Sequence, residues 1–326
     1  MRVICLGFVL LLAMVFCSCK RSNSTDGYLK LKKMKSFREF IRLEKTVKIP
    51  NPIISNSNSI ISIKRSKNYY LIIDNSNAIH AFNSTGAYLS SIRKTGKGPG
   101  EYDGITQVLF VDENSFFVHD GYRGIVNYYE IKEKSIVFKE DFDIAKHAMH
   151  SPYLSIMNDS VVAIVDPNLK SDNRVFMFDK KFNKKHEFSN NWKLPQASYE
   201  HNHCVNLKYI IFLDSIVFRQ GKPQVDTGRI FLYDFNGNLK RIIKHPDTDI
   251  YEIHSDRDGR FVILFDTKQK VTVYNAHNGE KVVVLLFDFP LYKDKSVSFY
   301  FDDTKLYAYY TDQDVLCIDE YEIGIP

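Results

Sequence analysis

The residues of this chain best suited to chemistry are closely spaced histidines. His147 and His150 share one polar stretch, and Glu200, His201 and His203 share a later one. Alternate residues of an extended segment project to the same side, so His201 and His203 would point together. Imidazoles with a carboxylate suit zinc, so His147, His150, His201 and His203 form a candidate metal site if their two segments converge. A different chemistry is available close by, because Trp192 and Tyr199 can stack on a sugar ring or a peptide while Glu200, His201 and Arg219 supply polar contacts. The strings Asp256-Arg257-Asp258-Gly259 and Asp234-Phe235-Asn236-Gly237-Asn238 lack the length and the terminal Glu of a calcium loop and read as hairpin turns. There is no GxSxG, HExxH, phosphate-binding or dinucleotide-binding fingerprint. The expectation is a non-enzymatic binding module without a cofactor, with a metal-assisted enzyme as the alternative.

The five cysteines point to a different use. Arg2 is followed by an apolar run, Val3 to Phe16, too short to span a bilayer comfortably and placed as the apolar core of a secretory signal. The run ends in Phe16-Cys17-Ser18-Cys19 and turns polar at Lys20-Arg21. This segment resembles a bacterial lipoprotein signal, in which a small residue precedes a cysteine that is acylated and becomes the new N-terminus. Cys19 is the matching cysteine and Ser18 the small residue. Acyl chains add about 0.8 kcal/mol of membrane affinity per buried methylene, so several hold a soluble domain durably on a membrane. Cys204 and Cys317 fall in distant parts of the chain, which disfavours a structural disulfide.

The charge distribution agrees with an anchor. Of the formal +5, Arg2 contributes +1 and residues 20–48 contribute +7, leaving −3 for the remainder. The basic arm suits anionic headgroups, and the slightly acidic body argues against nucleic acid as a partner.

A large aromatic content, 20 Tyr and 24 Phe, favours strands in the positioning scaffold. A polar turn followed by a β-rich run recurs six times, with its Asx at Asn68, Asn114, Asp159, Asp214, Asp258 and Asp303, mostly about 45 residues apart. Asp74, Asp120, Asp166, Asp266 and Asp312 end five of these runs, and Arg219-Gln220 takes the place in the fourth. Aromatic-Asx turns follow at Phe82-Asn83, Phe178-Asp179, Tyr233-Asp234 and Tyr274-Asn275. The longest interval, 159 to 214, holds Trp192 and the His201/His203 segment, which reads as an extended crossover between repeats. Six four-stranded repeats of this length predict an all-β, six-bladed β-propeller. After Tyr309 only Val315 to Ile318 reads as a further strand, so the spare strand Thr46 to Ile49 is expected to complete the last blade and close the ring. The domain reading is 1–18 signal peptide, 19–42 basic tether and 43–326 propeller.

With the repeats placed, the segment Gly96-Lys97-Gly98-Pro99-Gly100-Glu101-Tyr102, the blade length and the Asp-ended strands resemble the six-bladed β-propeller lipoproteins of Bacteroidetes, relatives of NHL-repeat and TolB-like propellers. That resemblance implies a lipid-anchored protein of the bacterial cell envelope, on the outer membrane and facing the periplasm or the surface, and its NHL-type branch implies the alternative of a metal-assisted lyase or hydrolase. Many surface-exposed members carry acidic residues after the lipidated cysteine, where this chain has Lys20-Arg21. Propellers bind partners on the face that carries the crossovers and the loops after the second strands, so a protein, peptide or glycan partner is expected there. In the glycine-rich segment, Tyr102 can pack between blades while Glu101 bonds the crossover backbone, or both can meet a ligand.

Overall fold

The computed structural model describes residues 37–50, 60–145, 152–157, 160–165, 173–190, 203–205, 208–214, 218–219, 222–223, 228–246, 250–255, 258–266, 270–287, 297–302 and 305–324. Residues 36–326 form one compact unit. Its described part is built of strands apart from a single short 3-10 turn, Phe37–Phe40. Six four-stranded antiparallel sheets follow the chain in order. Blade one, for example, runs from its inner strand Ile60–Arg65 through Tyr69–Asp74 and Ile79–Asn83 to the outer strand Tyr88–Ile92. The expected six-bladed propeller is present.

The ring is held by apolar contacts between neighbouring blades. Second and third strands are buried on both faces, as in Tyr70, Leu71, Ile72 and Ile73, so each can serve two junctions. Leu71 and Ile73 pack with Phe116, Val118 and Tyr129 of blade two, while Tyr70 and Ile72 pack with Tyr307, Leu316 and Ile318 of blade six. Further clusters join blades two to three, three to four, four to five and five to six. A blade cannot bury both faces alone, and closing the ring removes that deficit for all six.

Closure uses the N-terminal strand. The strand Ile41–Pro50 pairs antiparallel with Val315–Ile323 as the outermost strand of blade six, from Ile41 opposite Ile323 to Pro50 opposite Val315. It begins earlier than the expected Thr46, because a bulge at Glu44 and the exposed outer face of Arg42, Leu43 and Glu44 erase the alternation that marks a strand in sequence. Val47 and Ile49 are its buried anchors.

The recurring Asx residues are turn-builders. Asn83 accepts from the Thr85 and Ala87 amides, Asp179 from those of Lys181 and Asn183, and Asp234 from those of Asn236 and Asn238. Each turn then needs a residue with positive φ three positions after the Asx or one beyond, filled by Gly86, Gly237 and Gly279. Blade three has no glycine there. Phe182 adopts φ 56° instead, and its ring packs on Phe117, Phe142 and Phe178, which offsets the cost of that conformation.

Blade four corrects the sequence reading. Its second strand is Ile210–Asp214, so Asp214 ends a strand and takes the role assigned to Arg219-Gln220. Phe218–Arg219 and Lys222–Pro223 form a separate two-stranded hairpin, inserted before the third strand, Gly228–Tyr233. The extra length therefore lies between the second and third strands of blade four. It does not lie in the crossover from blade three.

A buried histidine gives the core a pH response. The ring of His119, second to last in its strand, is 1% exposed, with Nδ1 3.0 Å from Thr106 Oγ1 and Nε2 without a partner. Burial lowers its pKa from 6.5 to about 4. The unfolded chain then binds a proton that the folded chain refuses, so stability falls as pH drops from about 6.5 towards 4, by up to about 3 kcal/mol at ~1.4 kcal/mol per pH unit. His119→Asn keeps a polar group near Thr106 but does not titrate. Urea unfolding of this variant should show a shallower loss of stability between pH 7 and 4.5 than the parent chain, and parallel curves would contradict the assignment.

Candidate functional site

The glycine-rich segment forms the crossover from blade one to blade two. Tyr102 Oη donates to the Asn77 carbonyl at 3.1 Å, the Tyr102 amide donates to the Lys94 carbonyl at 2.9 Å, and the Gly98 amide donates to Glu101 Oε2 at 2.7 Å. A side chain at Gly96, where φ is 154°, would strike the Glu101 carboxylate, and one at Gly100, where φ is 70°, would lie 2.6 Å from the Phe138 ring. Backbone freedom and close approach thus both require glycine at Gly100. Tyr102 is 0% exposed and belongs to the core between blades one and two, and burial raises its pKa to about 12. Tyr102 is therefore a packing residue with no surface to offer a ligand, while Glu101 shapes the loop it sits in.

Blade two fixes this crossover from the side. Arg123, in the turn after the second strand, donates through Nη1 to the carbonyls of Gly96 (3.2 Å) and Glu101 (3.0 Å), and through Nη2 to that of Lys97 (3.1 Å). Asn127 Nδ2 also donates to the Glu101 carbonyl, and Tyr129 Oη donates to that of Gly100 at 2.5 Å. Crossover and turn consequently form one rigid surface. The sequence reading missed Arg123. Its signal was the bracketed turn Gly121-Tyr122-Arg123-Gly124, where a long cation sits between two glycines.

The strand-ending carboxylates face inward. Asp74 Oδ1 accepts from the Ser76 and Ala78 amides and Oδ2 lies 3.0 Å from His80 Nε2. Burial pushes the Asp74 carboxyl upward, but bonds from His80, Ser76 and the two amides outweigh it and hold the pKa at about 2. Asp120 is fully buried and accepts from the amides of Asp103 and Arg123. These carboxylates build the turns of the crossover face.

The other sequence candidates are placed as follows. Cys19, His147, His150, Trp192, Tyr199, Glu200 and His201 lie outside the described residues. His203 belongs to the inner strand of blade four, His203–Val205, and so is not a crossover residue. Arg219 lies in the inserted hairpin of blade four. Cys317 is buried on the third strand of blade six.

A family model described as a 6-bladed beta-propeller, DUF5128, matches residues 21–221, more than half of the chain. The chain belongs to this family. No curated protein matches this DUF5128 member. Among solved structures it is similar to BamB from Moraxella catarrhalis, with 13% identity and a TM-score of 0.44, over 80% of this chain and 71% of that one.

The N-terminal end of this DUF5128 propeller is placed away from the crossovers. Pro50 pairs with Val315, beside the turn between the second and third strands of blade six. Ile41 pairs with Ile323 at the other end of the strand, and the Gly324 amide donates to the Phe40 carbonyl at 2.7 Å. The chain therefore enters the propeller on the face opposite the crossovers.

Proposed function

We propose that this protein is a lipid-anchored, non-enzymatic binding module of the bacterial cell envelope. Cys19 carries the acyl chains, the basic arm after it is a tether, and the propeller offers its crossover face to a protein, peptide or glycan. The observation that carries this reading is the entry of the chain at Phe40–Ile41 on the opposite face. A tether joined there attaches to the propeller at the end away from the face proposed to meet partners. The use of Asp74, Asp120 and Glu101 for turn building supports a recognition role over a catalytic one for this face. The outer membrane is the anchoring membrane in this reading, with the propeller in the periplasm or at the cell surface.

Replacing Cys19 with Ala should move the protein from the membrane to the soluble fraction and abolish incorporation of a labelled fatty acid. Cys17→Ala should do neither. Continued labelling of the Cys19→Ala chain would overturn the anchoring site.

A further inference from the structure

We propose that the crossover between blades one and two, with the adjoining turn of blade two, is a cationic and aromatic platform for an acidic segment of a protein partner. The proposal rests on the reading of the propeller as a binding module and names its contact surface. Arg93, Lys94 and Lys97 are exposed on the crossover. The carboxylates of the same loops are largely turned away from solvent: Asp120 is buried, Glu101 holds the Gly98 amide and Asp74 caps its own turn, which leaves Asp103, with Asp143 beside the blade-two turn, as the exposed acidic residues against Arg93, Lys94 and Lys97. Positive charge therefore dominates the outer surface, and an acidic partner complements it.

Tyr122 projects from the blade-two turn that Arg123 ties to the Lys97 carbonyl of this crossover. It is 84% exposed, the largest exposure of any bulky apolar or aromatic side chain among the described residues. The ring lies over Gly104, where an added Cβ would come within 2.6 Å of Cε2, so a glycine at position 104 is what lets the ring rest on the backbone. Arg123, the next residue, binds the carbonyls of Gly96, Lys97 and Glu101 and so locks ring and crossover together. The backbone that carries the platform is thus pre-organised before any partner arrives, which reduces the ordering cost of association. A projecting Tyr beside Arg and Lys has the composition of a protein-interface anchor, and its prominence suits a pocket on a partner protein better than a flat glycan.

The test uses full-length protein in detergent and a fluorescein-labelled oligo-glutamate peptide, read by fluorescence anisotropy. Binding is expected, and it should weaken as salt screens the charges. The triple variant Arg93→Ser, Lys94→Ser, Lys97→Ser and the single variant Tyr122→Ala should each weaken it about tenfold or more at an unchanged melting temperature. Lys132→Ser with Lys181→Ser, in turns of the opposite face, should leave it unchanged. Absence of binding, equal losses in the opposite-face variant, or tighter binding of oligogalacturonate than of the peptide would each overturn the proposal. Co-purification from native envelopes separates this failure from that of the underlying reading. If the triple variant retains the wild-type partners, the platform is wrong and the binding module stands. If wild-type protein retains no partner beyond a chain carrying the anchor alone, the binding module itself fails.

Discussion

Removing residues 20–50 should leave a chain that no longer folds as a stable monomer, whereas removing 20–36 should leave the melting temperature nearly unchanged. The longer deletion takes the whole strand Ile41–Pro50, whose nine residue pairs with Val315–Ile323, together with the bond from the Gly324 amide to the Phe40 carbonyl, join the seam of blade six. At about 0.5–1.5 kcal/mol per hydrogen bond, with about 1.5–3 kcal/mol for burying each of Val47 and Ile49, the loss is comparable to the ~5–15 kcal/mol that stabilises a typical domain. It also bares the edge of Val315–Ile323, which invites pairing with another chain. The shorter deletion ends before the 3-10 turn Phe37–Phe40 and spares these contacts. Thermal melts and size-exclusion chromatography of the two truncations check this. Equal melting temperatures and equal monomer yields would contradict it.

The second large effect is expected at Glu320, the buried carboxylate of the same seam. Glu320 is 1% exposed and accepts from the Tyr70 hydroxyl and from Arg65 Nε at 3.0 Å, with Lys45 Nζ at 3.3 Å. These residues come from blade one and from the N-terminal strand, so one carboxylate ties both to blade six. Arg65 also stacks over the Tyr70 ring, 4.8 Å from its centroid. Burial pushes the Glu320 carboxyl upward, and the bonds from Tyr70 and Arg65 with the charges of Arg65 and Lys45 overcome it, holding the group below the usual carboxylate range. Its contribution is therefore complete above pH ~4.5 and is lost as pH falls through the lower folded-state value.

Glu320→Ala leaves Arg65 largely buried without its counter-charge and should cost about 3–5 kcal/mol at pH 7. The double variant Glu320→Leu, Arg65→Met should recover much of that loss, because an apolar pair of similar volume carries no unpaired charge. Urea unfolding measures both, and a Glu320→Ala chain within about 0.5 kcal/mol of the parent would show that the network contributes little.

Much of this seam was legible in the sequence. The spare strand before blade one and the missing one after Tyr309 pointed to each other, and Val47 and Ile49 carried the alternation of a buried face. Blade four was misread for a physical reason. Asp214 both ends one β-rich run and precedes another, Ile216-Val217-Phe218, so either run satisfies the pattern of a second strand. The inner strand that would have decided, His203–Val205, is three residues long and leaves no period to detect.

At the crossover face, the glycines of the Gly96–Tyr102 segment announced a tight loop. Which of Tyr102 and Tyr122 is buried depends on what blade two brings against them, and neighbouring sequence does not encode that. Glu320 was equally hidden, since Asp319-Glu320 reads as a polar strand end until Arg65 and Tyr70 arrive from about 250 residues away.

Hydrogen exchange of the intact, membrane-extracted protein tests the central claim most directly, namely that the strand next to the proposed anchor closes the propeller. Peptides covering 41–50 and 315–323 should both be protected and should lose protection together as denaturant is raised, because opening the seam also exposes the blade-six sheet to which 315–323 is paired on its other side. Fast exchange in 41–50 while 315–323 stays protected would contradict the account.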